Sequence, residues 1–421
     1  MNTKINKISD TIIKHKSLVQ NFSYLSVIQV LNIAIPLLSY PYLIRVIGTD
    51  TYGLVVFAQV TLSYFGIIVN YGFNISATKD ISINRDNKSS VNEIVSTVFL
   101  IKGLLFLISV ASSFLIVKII PTARGYEMLF FLTLWMPFYN FIFPVWYFQG
   151  IERMKYITLV TLIARLTFLG LIFVFIKSQS DYLYIPALNG LGALLSGFAS
   201  LYIIFRLHKV KFIIPSRNTI RKQFKESSVL FVSRISSFRD NTPLFLIGLF
   251  VSNEAAAYYD LVNKVIRIVI SFFDNVTNVM FPRIANNKNP NFNRRIIKLE
   301  LIAIIVFYIL LIAGSKTIIL ILGGKEMLPA QPLFYILGFL LLRPFSALIG
   351  TTILVTNNLA KEFSLNLIYS TIFYFIITLL LFPVNMVNTY SLAITLVAAL
   401  AFQLLHRIFY IHKYKLTKWL Y

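Results

Sequence analysis

The stretch Ala255–Phe281, AAAYYDLVNKVIRIVISFFDNVTNVMF, decides how the whole chain is read. It reads as one long, largely apolar helix, yet Asp260, Asn263, Lys264, Arg267, Ser271, Asp274, Asn275 and Asn278 recur at three- and four-residue steps. At ~100° per residue these side chains fall within about 60° either side of one line, while Leu261, Val265, Val269, Phe272, Val276 and Val279 cover the far side. From Asp260 to Asn278 the stripe rises ~27 Å, close to the ~30 Å of a bilayer core. Alone, the pattern fits a soluble amphipathic helix, a helix lying flat on a membrane, or a cavity wall. Its neighbours decide, because a charged stripe among membrane-spanning helices cannot face lipid.

Composition supplies those neighbours. The chain of 421 residues is 57% hydrophobic and only 13% charged. Its mean hydropathy is +0.76. These values lie outside the range of soluble domains and imply a polytopic membrane protein. The absence of cysteine excludes disulfides, thiolate catalysis and Cys-based metal sites. A net charge of +23 is more often a sign of nucleic-acid binding, but basic residues dispersed between hydrophobic spans mark cytoplasmic loops, so no nucleic-acid partner is expected. No signal peptide is expected either, since the polar start Met1 to Leu18 leads into a hydrophobic segment too long for an h-region.

Hydropathy predicts an all-α integral membrane protein of twelve transmembrane helices. Six form a first half: Val19 to Ile47, Leu54 to Ala77, Ile94 to Val117, Met128 to Phe148, Ile157 to Ile176 and Leu183 to Phe205. A basic linker follows, and then Ser227 to Val251, Ala255 to Phe281, Leu299 to Leu322, Gln331 to Val355, Phe363 to Phe382 and Asn388 to Tyr410. The domains are therefore 1–205, a cytoplasmic linker 206–226 and 227–421. Lys and Arg alternate cleanly between successive loops, with only Lys118, Arg124, Lys177 and Lys325 on the poorer side. Both termini are accordingly cytoplasmic. The linker is the largest basic cluster, with Arg206, Lys209, Lys211, Arg217, Arg221, Lys222 and Lys225, and reads as a topology signal attracted to anionic lipid.

Intramembrane cations point to function. Arg45 and Lys316 lie near outer span ends and are expected to snorkel. Lys102, Arg165 and Arg234 each sit ~10 Å in from the cytoplasmic side, and Arg239, Lys264, Arg267 and Arg343 lie nearer mid-membrane. Each costs at least ~2.5 kcal/mol at mid-helix if it faces lipid, so the set should face inward. Only Asp240, Asp260 and Asp274 are counted as acidic within spans, which predicts a cationic cavity and an anionic cargo. A structural role, each cation paired or bonded to carbonyls, is the competing reading, and Asp260 with Lys264 four residues on suits such a pair. In the seventh span Arg234, Arg239 and Asp240 point about 120° apart on an ideal helix, so that helix is either surrounded by protein and water or broken, with Pro243 the suspect. Pro36, Pro41, Pro137 and Pro144 could kink the first half.

Three strings carry a resemblance. Residues 36–58, PLLSYPYLIRVIGTDTYGLVVFA, residues 71–86, YGFNISATKDISINRD, and residues 144–158, PVWYFQGIERMKYIT, are similar to signatures of polysaccharide-biosynthesis flippases. These are the O-antigen or Wzx-type branch of the multidrug/oligosaccharidyl-lipid/polysaccharide exporter superfamily. Phe281, Pro282 and Arg283 form a vaguer echo in the second half. The resemblance implies two six-helix bundles around a central cavity. It also implies alternating-access transfer of an undecaprenyl-pyrophosphate-linked repeat unit from the inner to the outer leaflet of a bacterial cytoplasmic membrane. The lipid-linked oligosaccharide is then the partner, with contact to polysaccharide-assembly proteins a further expectation. No cofactor is implied beyond coupling to H+ or Na+, with Asp240, Asp260 or Asp274 as ion ligands.

Two other classes compete. A drug exporter of the same superfamily would carry acidic cation sites, whereas here cations outnumber acids within spans. A membrane polysaccharide polymerase or lipid-linked-sugar transferase needs a catalytic constellation, and the loops hold no room for one. His15, His208, His406 and His412 all sit in or beside cytoplasmic segments, which argues against a buried His catalyst or metal site.

Overall fold

The computed structural model describes residues 24, 31, 34–232, 234–287 and 290–419, with the side chains of 232 and 278–287 left aside. Most of the predicted first span, His15 and the side chains of Asn278 and Arg283 lie outside the described residues. Among those described, all regular structure is helical. The first half comprises α1 Ala34–Ile47, α2 Thr49–Asn70, α3 Phe73–Asn84, α4 Lys88–Ile119, α5 Glu127–Thr133, α6 Trp135–Ile142, α7 Val145–Gly150, α8 Met154–Phe175 and α9 Tyr184–Tyr202. After it come α10 Arg217–Val232, α11 Ile235–Phe250, α12 Asn253–Asn287, α13 Pro290–Leu322, α14 Gln331–Leu337, α15 Leu342–Ile349, α16 Ala360–Leu380 and α17 Thr389–Lys413.

Among the described residues, nine helical runs are long and apolar enough to cross a membrane. They overlap the second to sixth and ninth to twelfth predicted spans. The others fall short for separate reasons: α1 is described only from Ala34, the seventh span is two shorter helices, and α12 carries too many polar groups. Side chains such as Leu104, Leu107 and Leu115 on α4 are exposed, as a lipid-facing surface requires.

The chain divides into two compact units: Thr61–Val232 with the described residues up to Tyr42, and Leu43–Val60 with Ser233–Tyr421. Prolines interrupt both. The predicted fourth span is three short helices, α5, α6 and α7, with breaks at Leu134 and at Phe143 and Pro144, because Pro137 and Pro144 lack the amide hydrogen that would continue the ladder. The tenth is divided similarly ahead of Pro344. In the seventh span, however, α11 runs unbroken through Pro243. The interruption lies at Arg234, between α10 and α11.

The quoted strings have structural jobs. In the first unit the corner between α2 and α3 is formed by Tyr71 and Gly72, both at positive φ. A Cβ on Gly72 would lie 2.8 Å from the Ser227 carbonyl oxygen. Around it Ser76 Oγ meets Ser227 Oγ at 2.7 Å and Gln223 donates to Asp80 at 2.9 Å, fastening α10 to α3. The third string packs there too: Thr78 Oγ1 donates to the Trp146 carbonyl, and Glu152 pairs with Arg85 at 3.3 Å. Phe73, Ala77, Ile81, Trp146, Tyr147 and Phe148 belong to the same buried cluster. In the second unit Gly53 lets α2 approach α12, since a Cβ there would lie 1.8 Å from the Asn253 carbonyl oxygen.

Candidate functional site

The densest polar cluster lies in the second unit, where α11, α12, α15, α16 and α17 meet. Asp240 on α11 is buried between two guanidinium groups. Arg239 donates Nε to Asp240 Oδ1 at 3.1 Å, and Arg343 donates Nη1 to Asp240 Oδ2 at 2.6 Å. Arg239 also donates Nη1 to Ser370 Oγ at 2.7 Å and Gln403 Oε1 at 3.0 Å. Thus Arg239 and Asp240, which ideal helix vectors set about 100° apart, still meet because the long arginine curls back onto its neighbour. Arg267, which donates Nε to Asn263 Oδ1 at 3.3 Å, joins Arg239, Asp240 and Arg343 around a cavity of about 20 Å³. That is room for about one or two waters. Three arginines therefore surround one aspartate, and the lining keeps a cationic excess.

A second cluster occupies the first half of α12. Lys264 Nζ lies 2.6 Å from Asp260 Oδ2, and Tyr52 donates its hydroxyl to the same oxygen at 2.8 Å while accepting from Lys264 at 3.0 Å. The stripe that opened the sequence reading is therefore not one uniform wall: Asp260 and Asn263 are buried, whereas Arg267 and Asn275 are exposed. On the opposite side Leu261 and Val265 are buried while Phe272 and Val276 are exposed, so α12 is enclosed at its start and open further along.

The remaining predicted cations stand apart. Arg234 is exposed at the helix interruption. In the first unit Lys102 on α4 is 1% exposed, with no hydrogen bond or ion pair among the described residues. Arg165 on α8 lines a separate cavity of about 50 Å³ with Trp135, Tyr139, Thr161 and Asn189, and the buried Trp135 Nε1 has no acceptor there. Asp274 on α12 is half-buried.

Two residues were missed. Arg407, near the end of the twelfth predicted span and not among the intramembrane cations named from the sequence, is fully buried. It donates Nε to Asn366 Oδ1 at 2.8 Å and Nη1 to the Ser346 carbonyl and hydroxyl, with its guanidinium 4.6 Å from the Phe363 ring. A signal existed: Thr395, Gln403 and Arg407 on α17 and Asn366, Ser370 and Thr378 on α16 recur at multiples of four, and all are buried. Glu300 is the second residue of the ninth predicted span, where a charge reads as solvated. Because α13 begins at Pro290, Glu300 instead lies ~15 Å along the helix and is buried. Thus the acids within spans are not limited to the three counted from sequence.

Known proteins share this chain's pattern. Residues 18–288 match the polysaccharide biosynthesis protein family. A protein of Escherichia coli (strain K12) named as an O-antigen transporter is 27% identical over 394 residues, covering 91% of this chain and 94% of that one. A Shigella dysenteriae protein named likewise is 24% identical over 299 residues, covering 70% and 74%. Among solved structures, the lipid II flippase MurJ in an inward closed conformation matches with a TM-score of 0.75 at 14% identity, over 94% of this chain and 87% of that one. An inward-facing multidrug resistance MATE family transporter of the MOP superfamily matches with a TM-score of 0.67 at 12% identity, over 93% and 98%. At such identities the two structures show a common fold. All three strings quoted above fall inside the matched range, and the chain, a multi-pass membrane protein, belongs to the polysaccharide biosynthesis protein family.

Proposed function

We propose that this protein is a flippase that moves undecaprenyl-pyrophosphate-linked oligosaccharide repeat units, of O-antigen or a similar surface polysaccharide, across the bacterial cytoplasmic membrane. It is a transporter and not an enzyme, as the relatives named for O-antigen transport are transporters. The observation that carries the reading is the cationic pocket: Arg239, Arg267 and Arg343 outnumber Asp240, in a chain whose named relatives are O-antigen transporters. A pyrophosphate offers the charge and the acceptor oxygens that guanidinium groups recognise.

The finer architecture we propose is twelve spans in two six-helix bundles, 1–205 and 227–421, joined by the cytoplasmic linker 206–226, around a central cationic cavity. Lys102, Arg165, Arg234, Arg239, Lys264, Arg267 and Arg343 are its proposed cargo contacts. Both termini face the cytoplasm in this scheme, transport is coupled to H+ or Na+, and the protein meets polysaccharide-assembly proteins at the membrane. Against a drug exporter stands the state of two acids: Asp240 and Asp260 are each held by cations of the same unit, which leaves them unsuited to a cationic drug. Expression of this chain in a strain lacking its own O-antigen flippase tests the function. Restored surface glycan supports it, and persistent accumulation of inner-leaflet precursor refutes it.

A further inference from the structure

Arg343, which reaches Asp240 and lines the cavity with Arg239 and Arg267, stands on a helix that its own backbone holds poorly. The 8 residues of α15 are entered from a 3-10 turn, Gly338–Leu341, and left by a π turn, Gly350–Leu354. Both turns depart from the i→i−4 ladder that would carry rotation from one helix into the next. Side chains must therefore set which way Arg343 points. Ser346, three residues on, lies within about 60° of it around the helix.

Arg407 holds Ser346. From α17 the buried guanidinium donates Nη1 to the Ser346 carbonyl and, at 3.0 Å, to its hydroxyl. Its Nε donates to Asn366 Oδ1 on α16 at 2.8 Å, and the Phe363 ring lies 4.6 Å away. A Cβ on Gly350 would lie 2.5 Å from Phe363 Cε2 and 3.1 Å from Arg407 Cζ, so the π turn is pressed against the same two side chains. These contacts close into a ring. Asn366 donates Nδ2 to the Gln403 carbonyl at 3.0 Å, and Gln403 Oε1 accepts from Arg239 at 3.0 Å. Arg239 and Arg343 then share Asp240, and α15 leads from Arg343 back to Ser346. Two of the three pocket arginines thus depend on one frame, which Arg407 completes without lining the pocket.

Arg407 forms no ion pair among the described residues. A buried charge without a counter-charge does not stabilise a fold beyond what a well-packed apolar side chain would, so stability alone does not account for an arginine here. We infer that Arg407 is a positioning residue of the cationic pocket, setting the rotation of α15 so that Arg343 stays on Asp240 and at the cavity. This deepens the flippase reading and rests on it only for what the pocket binds.

The chain contains no cysteine, so a nitroxide on one introduced cysteine reports alone. Ala347→Cys puts it on α15, about 40° around the helix from Arg343. Ala303→Cys puts it on α13, which carries no member of the ring, and both alanines are half-buried. In electron spin resonance of the purified full chain, adding Arg407→Gln should bring a mobile component at Ala347→Cys and none at Ala303→Cys. Unchanged spectra at both sites overturn the proposal, as does loosening at both, which would mark a general loss of packing. Thermal denaturation follows Arg343 itself. Arg343→Ala alone should lower Tm by about 2–4 °C, and by less than half as much once Arg407→Gln is present. Additive losses overturn the proposal. Should Arg407→Gln fail to fold, Arg407→Lys, which keeps the charge but not the fork, must give the same pattern more weakly, and its absence is equally decisive. No cargo is used, so this can fail while glycan export succeeds, and the reverse.

Discussion

Replacing Asp240 by alanine should be far more damaging than replacing Arg343, although the two form one ion pair. The side chain of Arg239 is 4% exposed and that of Arg343 is 41% exposed. Without Asp240, Arg239 keeps, among the described residues, only Ser370 and Gln403, both neutral, and an uncompensated buried charge costs about 3–5 kcal/mol. Without Arg343, Asp240 keeps Arg239, and the partly exposed pair that is lost is worth about 1 kcal/mol. The difference of about 2–4 kcal/mol corresponds to roughly 4–16 °C in Tm for a unit of this size. Thermal denaturation of the purified full chain in detergent reads it directly. Asp240→Asn, which keeps one acceptor oxygen but neither the second acceptor nor the charge, should fall between. Equal losses for Asp240→Ala and Arg343→Ala would show that burial of Arg239 does not set the energetics.

Other outcomes follow from the same geometry. Tyr52→Phe removes the hydroxyl that bridges Asp260 and Lys264 and should lower stability by about 1–2 kcal/mol, measured as Tm. Gly72→Ala meets both a φ of 81° and the Ser227 carbonyl, and should cost about 1–3 kcal/mol, read as lower abundance in the membrane. Burial, then the charges of Arg153 and Lys155, hold the His208 imidazole below its ordinary range, with Tyr147 bonded to Nδ1 at 3.0 Å. Because the folded form favours neutral imidazole, its contribution is full above about pH 6.5 and lost as the pH falls through the lower folded value. A Tm that declines on mild acidification in the wild type but less in His208→Gln is expected, and identical pH profiles would refute it. Reporter fusions between Arg206 and Lys225 should give a cytoplasmic signal.

The sequence carried the fold well where periodicity and hydropathy act over long windows. The second to sixth and ninth to twelfth spans overlap helical runs of the structure because an apolar run of that length has one stable form in lipid. Boundaries were less legible. Whether α10 continues into α11 depends on a local interruption at Arg234, whereas Pro243, the visible breaker, is tolerated inside α11. The site was readable as residue types but not as partnerships. Nothing in the spacing of Arg239, Ser370 and Gln403 announces that they share hydrogen bonds, since that depends on how α11, α16 and α17 pack. Glu300 and Arg407 were lost for one reason: a charge near a hydropathy boundary reads as solvated until the true helix limits are known.

The most direct measurement is translocation of a fluorescent undecaprenyl-pyrophosphate-linked oligosaccharide by the purified chain in vesicles, comparing wild type with Arg267→Ala. Arg267 suits this because it is exposed and, among the described residues, hydrogen-bonded only within its own helix, to Asn263, so its removal should leave stability nearly unchanged. The account expects rapid transfer by the wild type and at least a roughly tenfold loss in the variant, the effect of about 1.4 kcal/mol from one charge-assisted contact. Unchanged transfer by Arg267→Ala, together with unchanged transfer by Arg343→Ala, would contradict a cationic path for the pyrophosphate.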